Sequence, residues 1–192
     1  MPNYSYLWAI ENQKPNAMKK ILLALCALLP LFSCGSSEPK EFVWNDISIT
    51  FPRTFTMKDQ KEEDGVCKFS LVKDDDNFLI VHYEPIDSEV LAEMSDEEIR
   101  SAINEDAYGL YMADVEDENM TINQESLVVI ESPEDSRPGV VYMYEGTNYG
   151  DPFKGRISIT VVDRYEVIIM AEATNDLNLG QITDIITSVV KK

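Results

Sequence analysis

The chain has 192 residues, with 16 Lys or Arg against 35 Asp or Glu and a formal net charge of −19. This length fits one ordinary domain and is short for two. Binding to phosphate backbones requires clustered basic side chains, so the charge argues against a nucleic-acid partner. We expect a well-solvated acidic surface and no nucleic-acid binding.

The segment that begins at Met18 has the organisation of an export signal. Lys19 and Lys20 are followed by an apolar run over residues 21–32, which matches the charged and hydrophobic regions of a signal peptide. A stable spanning helix needs about 20 apolar residues, so this run is too short to serve as one. Another device must hold the exported protein at a membrane.

The apolar run ends in Leu31-Phe32-Ser33-Cys34-Gly35. This stretch resembles the lipobox of bacterial lipoprotein precursors, which has leucine three residues before a cysteine and a small residue directly before it. The resemblance implies cleavage before Cys34 and fatty acyl groups, such as palmitate, on that residue. Each buried CH₂ adds about 0.8 kcal/mol, so two or three chains make a lasting membrane anchor. A secretory signal with an accidental cysteine is the alternative.

Four segments follow from these patterns. Residues 1–17 show no leader pattern, whereas Met18 begins a complete precursor, so we expect translation to start at Met18 and treat 1–17 as an upstream extension. Residues 18–33 are the expected signal peptide, 34–40 a small polar tether, and 41–192 a single domain. The six tether residues after Cys34 reach about 20 Å at most, so the domain should lie close to its membrane. The expected location is the bacterial cell envelope, at the outer membrane, facing the periplasm or the surface.

The first half of the domain shows strand patterns followed by a helix. Alternating apolar residues predict a half-buried strand over residues 43–51, closed by Pro52. Residues 66–72 and 78–83 predict a hairpin whose turn is the acidic stretch 74–77. Ser95 and Glu98 form a capping box, which predicts the start of an amphipathic helix.

The second half predicts four strands and a closing helix. The strand patterns cover residues 120–130, 140–145, 153–162 and 165–173. The last is apolar on both faces, so we expect it to be covered on both and central in its sheet. A stripe at helical spacing predicts the closing helix: Ile182, Ile185, Ile186, Val189 and Val190. This order predicts an α+β domain with a mostly antiparallel sheet and helices on its faces.

The two ends of this pattern resemble PsbP-like domains. Ile47-Ser48-Ile49-Thr50-Phe51-Pro52-Arg53-Thr54-Phe55 resembles their opening strand, which ends in an aromatic residue, a proline and another aromatic residue. Residues 168–171 and 185–189 are similar to their last strand and closing helix. The resemblance implies an α/β/α sandwich and a non-catalytic module. It brings no catalytic motif, because the family shares none.

Side chains with catalytic or metal-binding chemistry are isolated in the sequence. His82 is the only histidine, and we interpret it as structural; Cys67, alternating with apolar residues, is interpreted as buried. Two Ser-x-x-Lys matches, at 37–40 and 70–73, lie in a linker and a strand, where this spacing does not join hydroxyl and amine. The acidic stretches 74–77 and 114–119 lack the EF-hand pattern and are interpreted as solvated turns. We expect no metal, no cofactor and no enzyme activity.

One loop has the composition of a recognition site. Tyr149 and Phe153 stand among glycines and a proline in residues 146–153, and aromatic residues dominate interaction hot spots. The alternative is an ordinary hairpin whose rings cap the edge of the sheet.

Three functions remain open at this stage. The first is a membrane-anchored, non-catalytic interaction module with an unknown partner. The others are a binding protein for a small apolar or lipidic ligand, held between sheet and helix, and an acidic protein that neutralises a basic partner. An apolar cavity larger than about 300 Å³ would favour the ligand-binding function. A flat acidic face with exposed aromatic residues would favour the other two.

Overall fold

The computed structural model describes residues 38–134 and 136–192. The expected lipidation site, Cys34, lies outside this part of the chain. Within it, no helix is long and apolar enough to cross a membrane. The elements in chain order are β1 (Lys40–Trp44), β2 (Ile47–Phe51), β3 (Thr56–Glu63), β4 (Val66–Asp74), β5 (Asn77–Pro85), α1 (Ser88–Glu93), α2 (Asp96–Glu116), β6 (Met120–Glu131), β7 (Gly139–Asn148), β8 (Asp151–Val162), β9 (Tyr165–Ala173), α3 (Asp176–Thr187) and β10 (Val190–Lys191).

The strands form two antiparallel sheets. The large sheet has the order β3-β4-β5-β9-β8-β7-β6, and the small one has the order β1-β2-β10. Strand β9 is fourth of seven, which confirms the prediction that the strand apolar on both faces is central. Its residues Val167, Ile169 and Ala171 are buried, whereas Ile168 and Met170 on the other face are half-buried. Coverage is therefore complete on one face and partial on the other.

Helices lie on both faces of the large sheet. Helix α2 contacts β6, β7 and β8, and the Tyr142 hydroxyl donates to the Asn104 side chain of this helix at 2.8 Å. Tyr142 is in register with Ile157, so Arg156, the next residue along β8, points to the opposite face. There its guanidinium donates to Thr183 of α3. We call these two sides the α2 face and the α3 face; together with the sheet they make the predicted α+β sandwich.

The main core lies between the α3 face and a cover made of α3 and the small sheet. Buried side chains of β4, β5 and β9 meet Trp44 of β1 and the isoleucines of β2 and α3. Trp44 packs on Tyr83 and Tyr165, with ring centroids 5.5 and 5.0 Å apart. Cys67 is buried here and unpaired, as predicted, and burial raises the pKa of its thiol to about 11.

The predicted strand over residues 43–51 is wrong in one respect, because it is a hairpin. Asn45 and Asp46 have φ values of 45° and 64°, which make the tight turn between β1 and β2. Asn45 stands on the side of the pattern that Val43 and Ile47 make apolar, so the two adjacent polar residues break the alternation and were the local signal of the turn. The reversal places Trp44 in the core and leaves Val43 exposed.

Three short or polar elements escape the sequence patterns. Strand β3 is an exposed edge strand rich in charged residues, and α1 has no buried residue, so neither carries a periodic apolar signal. The closing helix ends at Thr187, earlier than predicted. Ser188 caps it by donating a backbone bond to the Asp184 carbonyl, and Val190 belongs to β10, which pairs with β2.

The capping box at the start of α2 is confirmed. The Ser95 hydroxyl accepts from the Glu98 amide at 3.3 Å, while the Glu98 carboxylate accepts from the Ser95 amide at 2.8 Å. These bonds satisfy two helix-end amides that otherwise have no partner. The helix then places Ile103, Ala107, Leu110 and Tyr111 against the α2 face.

Candidate functional site

The predicted recognition loop is a two-residue hairpin turn between β7 and β8. Tyr149 and Gly150 have φ values of 51° and 88°, which this tight turn requires, and the Tyr149 side chain is 80% exposed. The prediction that Phe153 is an interaction residue is wrong, because Phe153 is buried and its ring meets that of Tyr144 edge-on at 6.2 Å. Phe153 therefore belongs to the core, and only Tyr149 remains a candidate contact residue.

The acidic side chains of these stretches accept hydrogen bonds from groups within the same stretch. Asp74 accepts from the Asp76 amide and from the Asn77 side chain, and Asp117 accepts from the Asn119 amide at 2.7 Å. The interpretation of Asp114 as part of a solvated turn is wrong, because it lies within α2 and accepts a hydrogen bond from the Tyr144 hydroxyl. Across the described residues, no group of three or more His, Cys, Asp or Glu side chains is placed to hold a metal ion.

The remaining chemistry-bearing residues are dispersed. His82 is in register with Lys68 on the α2 face, and burial together with that lysine lowers the pKa of the imidazole. Lys73 donates to Asn178 and Gln181 of α3 at 2.6 and 3.1 Å, so its amine is engaged with the helix and not with Ser70. These positions give no nucleophile–base pair.

An open groove lies on the α3 face, between α3 and strands β6–β8. Its floor consists of two cross-strand rows: Arg156–Met143–Val128 and Ser158–Val141–Ile130. Paired residues of adjacent strands share a face, and successive rows lie about 7 Å apart. Leu179, Thr183 and Ile186 of α3 stand along the other side. We call this feature the α3 groove.

Two cavities lie in the α3 groove. The first has a volume of about 360 Å³ and is lined by the following residues: Ser126, Val128, Met143, Tyr144, Glu145, Lys154, Gly155 and Leu179. The second has a volume of about 350 Å³ and adjoins Ile130, Val141, Ser158, Ile186 and Val189 among others. Because their floors are neighbouring rows of one sheet face, the two cavities lie end to end along α3. Val128 and Ile130 are 49% and 51% exposed, which is unusual for two neighbouring aliphatic residues facing a helix.

Arg156 lies on the floor side of the α3 groove without lining either cavity itself, and Met143, its partner on β7, lines the first. The residue is only 8% exposed, and its Nη2 donates to the Met143 sulfur at 3.0 Å. In the described part of the chain, its buried Nε has no hydrogen-bond partner and no carboxylate forms an ion pair with it. Burial lowers the pKa of the guanidinium, although an arginine keeps its charge under all ordinary conditions.

Sequence reasoning missed both the α3 groove and Arg156. The groove requires knowing which strands neighbour β8 and where α3 lies, and neither follows from local periodicity. A signal for Arg156 did exist, since it is the one charged residue within the apolar stretch 155–162 of β8. An isolated charge in a strand buried on both faces must either be paired or serve a purpose.

A group of carboxylates lies on the partly covered half of the α2 face. Glu84 and Glu166 are directly opposite each other on β5 and β9, and Asp106 of α2 acts on Glu166 as a third negative charge. Burial, Asp106 and Glu84 together raise the pKa of Glu166 to about 7. Burial also raises the pKa of Glu84 and Glu172.

From these raised pKa values we predict that the domain is more stable in mild acid than at neutral pH. A carboxyl whose pKa is raised by folding binds more protons in the folded state, so stability falls as pH rises from about 4.5 to about 7. The melting temperature measured by circular dichroism should be higher at pH 5 than at pH 8. Glu166→Gln should reduce that difference, whereas Glu125→Gln, at an exposed position in the bulged part of β6, should not. A melting temperature that rises from pH 5 to pH 8 would contradict the prediction.

Comparison with solved structures identifies a fold. The chain is similar to the solution structure of cyanobacterial PsbP (CyanoP) from Synechocystis sp. PCC 6803, with a TM-score of 0.51 and 15% sequence identity. The match covers 85% of this chain and 99% of that one. No protein-family model matches the chain, and no curated protein matches its sequence. The likeness confirms the predicted PsbP-like fold, and at this identity it shows the fold alone.

Proposed function

We propose that the chain is a lipid-anchored, non-catalytic protein of the bacterial envelope that binds an apolar ligand in the α3 groove. The observation that carries the binding function is the pair of cavities of about 360 and 350 Å³, each within the size range of small-molecule sites. Apolar side chains of both sheet and helix line them. This was the structural feature expected of a ligand-binding protein rather than of a flat interaction surface.

The exposed aliphatic floor supports a ligand rather than an acidic docking face. Val128 and Ile130 stand in water when the α3 groove is empty, and covering such side chains contributes about 25 cal/mol per Å² of apolar area. The exposed aromatic residues that would suit a basic protein partner lie on different elements, Tyr108 on α2 and Tyr149 at its turn. Among the described residues, the proposal of an acidic neutralising protein therefore has no comparable aromatic cluster.

A non-catalytic role fits the chemistry of the α3 groove. His82 lies on the α2 face, since it pairs in register with Ile168, and so it is on the other side of the sheet. Among the described residues that line the two cavities, the Ser and Thr hydroxyls are accompanied by no histidine: Ser126, Ser132, Ser158, Thr160 and Thr187. Lys154 of the same lining is paired with Glu145 and Asp176, so its ammonium is not placed to act as a base on these hydroxyls.

Binding in the α3 groove can be tested with one strand that has two differently facing valines. Val128 lies on the groove floor, whereas Val129 is in register with Tyr142 and faces the α2 side. We expect 1-dodecanol to shift the NMR signals of Val128, Met143 and Leu179 in residues 34–192 expressed without the leader and carrying Cys34→Ser. Val128→Asp should abolish these shifts and Val129→Asp should preserve them. Equal loss in both variants, or no saturable shift in the parent protein, would reject the groove as the site.

The anchor is tested separately at Cys34. Expressed in a bacterium with lipoprotein processing, the full chain should partition into detergent and begin at an acylated Cys34, as read by mass spectrometry. Cys34→Ala should remain uncleaved or become soluble, because the acyl chains then have no attachment point. Unchanged membrane extraction of Cys34→Ala with the leader removed would show that another feature holds the protein.

A further inference from the structure

Arg156 is a buried charge without a counter-ion in a strongly acidic protein. The sequence contains 35 Asp or Glu residues, yet within the described part of the chain none forms an ion pair with this guanidinium. Lys154, two residues earlier on the same face, differs in this respect, because it pairs with Glu145 at 3.1 Å and with Asp176 at 2.5 Å. Removing a charge from water costs several kcal/mol unless it is paired.

The partners that Arg156 does have are neutral, and one of them is weak. Thr183 of α3 accepts from Nη1, the Met143 thioether accepts from Nη2, and Nε has nothing to donate to. A thioether sulfur is a poor hydrogen-bond acceptor compared with an anionic oxygen. Met143 also lines the first cavity, so its flexible side chain is what separates Nη2 from the open space of the α3 groove.

We infer that the ligand of the α3 groove is a single-chain amphiphile whose anionic oxygen head group binds the Arg156 guanidinium. The head group replaces the Met143 sulfur at Nη2 and supplies an acceptor for Nε, because a planar guanidinium presents two parallel donors to a carboxylate or phosphate. The apolar chain then lies along Val128, Ile130 and Val141. This inference rests on the proposed binding function and assigns its ligand class.

The position of Arg156 on β8 leaves room in the α3 groove for the apolar chain of such a ligand. Four successive rows of β8, from Lys154 to Thr160, span about 20 Å, and Arg156 belongs to the second of them. An amphiphile with its head at Arg156 therefore has the first cavity beside it and the second one row further along the strand. Charge attraction from the protein as a whole does not contribute, since its net charge is negative. Two other cations line the cavities, but Lys154 is paired with Glu145 and Asp176 and Arg137 is exposed, so Arg156 is the buried cation available for recognition.

The test compares three probes with the same chain length: dodecanoate, dodecyl phosphate and 1-dodecanol. Their dissociation constants are measured by NMR titration, below the concentration at which they form micelles, on residues 34–192 expressed without the leader and carrying Cys34→Ser. A charge-assisted hydrogen bond is worth enough to make an anionic probe bind about tenfold to a hundredfold more tightly than the alcohol. Which anion binds more tightly distinguishes a fatty-acid head group from a phosphate one.

Variants at Arg156 separate recognition from a structural role. Arg156→Met keeps the volume and removes the charge, so it should bind the alcohol as the parent does while losing the preference for the anions. Arg156→Lys should recover part of that preference, and the control Lys191→Met should retain it, because Lys191 is paired with Asp163 and lines neither cavity. Retained binding of 1-dodecanol by Arg156→Met shows at the same time that the variant is folded.

Two outcomes would overturn the inference, and they differ from failure of the proposed function. If all three probes bind the parent protein equally, or if Arg156→Met keeps the preference for anions, the groove binds apolar ligands but Arg156 does not select them. If no probe binds, the proposed function itself fails. A concentration-dependent dimer whose interface signals map to Val128 and Ile130 would mean that a second copy, and not an amphiphile, covers the α3 groove.

Discussion

Gly155→Ala is expected to destabilise the domain by about 3 kcal/mol, the upper part of the range for overpacked cores. A Cβ at this position would lie less than 3.0 Å from three ring atoms of Tyr144. The ring has no room to move, because it meets Tyr111 and Phe153 edge-on and its hydroxyl donates to Asp114. Urea unfolding followed by circular dichroism measures the loss.

Gly109→Ala is the matched control for this prediction. Gly109 lies inside α2, and a Cβ there would meet nothing within 4 Å. Alanine is favoured over glycine in a helix by about 0.5–1 kcal/mol, so this variant should be slightly more stable than the parent. The same substitution therefore has opposite signs at the two sites. Equal effects at both would show that the Tyr144 ring is not held as described.

Ile185→Ala should cost about 2–5 kcal/mol, a large share of the 5–15 kcal/mol that stabilises an ordinary domain. The side chain has no exposed surface and belongs to the core formed by α3, the small sheet and the large sheet. Its truncation leaves a cavity that the surrounding strands cannot close. The midpoint of urea unfolding should fall markedly, with an unchanged slope.

Leu177→Ala on the same helix provides the comparison. Leu177 is 73% exposed, so its removal should change stability by about 0.5 kcal/mol or less. Ile186→Ala should fall between the two, because Ile186 is only partly buried and lines the second cavity of the α3 groove. If Leu177→Ala proved as damaging as Ile185→Ala, the assignment of the buried side of α3 would be incorrect.

Tyr144 packs on the α2 face and also borders the first cavity, which lies on the α3 face. Its ring and hydroxyl belong to the α2 side, where burial and the Asp114 carboxylate raise the pKa of the phenol. It also borders the first cavity, together with Gly155, the residue opposite it on β8. Substitutions at Gly155 should therefore disturb ligand binding as well as folding, so Arg156 and Val128 are the better positions for testing recognition.

The sequence by itself determined most of the elements and their type. Periodic segments such as β4, β5 and α2 follow from their own residues, because alternation or helical spacing records which side is buried, and β8 and β9 follow from their apolar runs. The capping box at Ser95 and the turn at Asp74 are local as well, since each depends on hydrogen bonds between residues two or three apart. The α+β class follows from the order of these elements, and the PsbP-like fold was implied by the resemblance of residues 47–55, 168–171 and 185–189 to that family.

The tertiary structure decided what the local pattern could not record. The hairpin at Asn45 and Asp46 was confirmed only by two positive φ values, although the adjacent polar residues already break the strand alternation, and β3 has no apolar face to detect. Phe153 could equally have been an exposed hot spot or a core ring until β7 and α2 were in place around it. The α3 groove is the clearest case. It exists because α3 covers β9 but leaves β6 and β7 open. Among the described residues, Arg156 has no counter-ion because the side chains that the fold brings to it, Thr183 and Met143, are neutral.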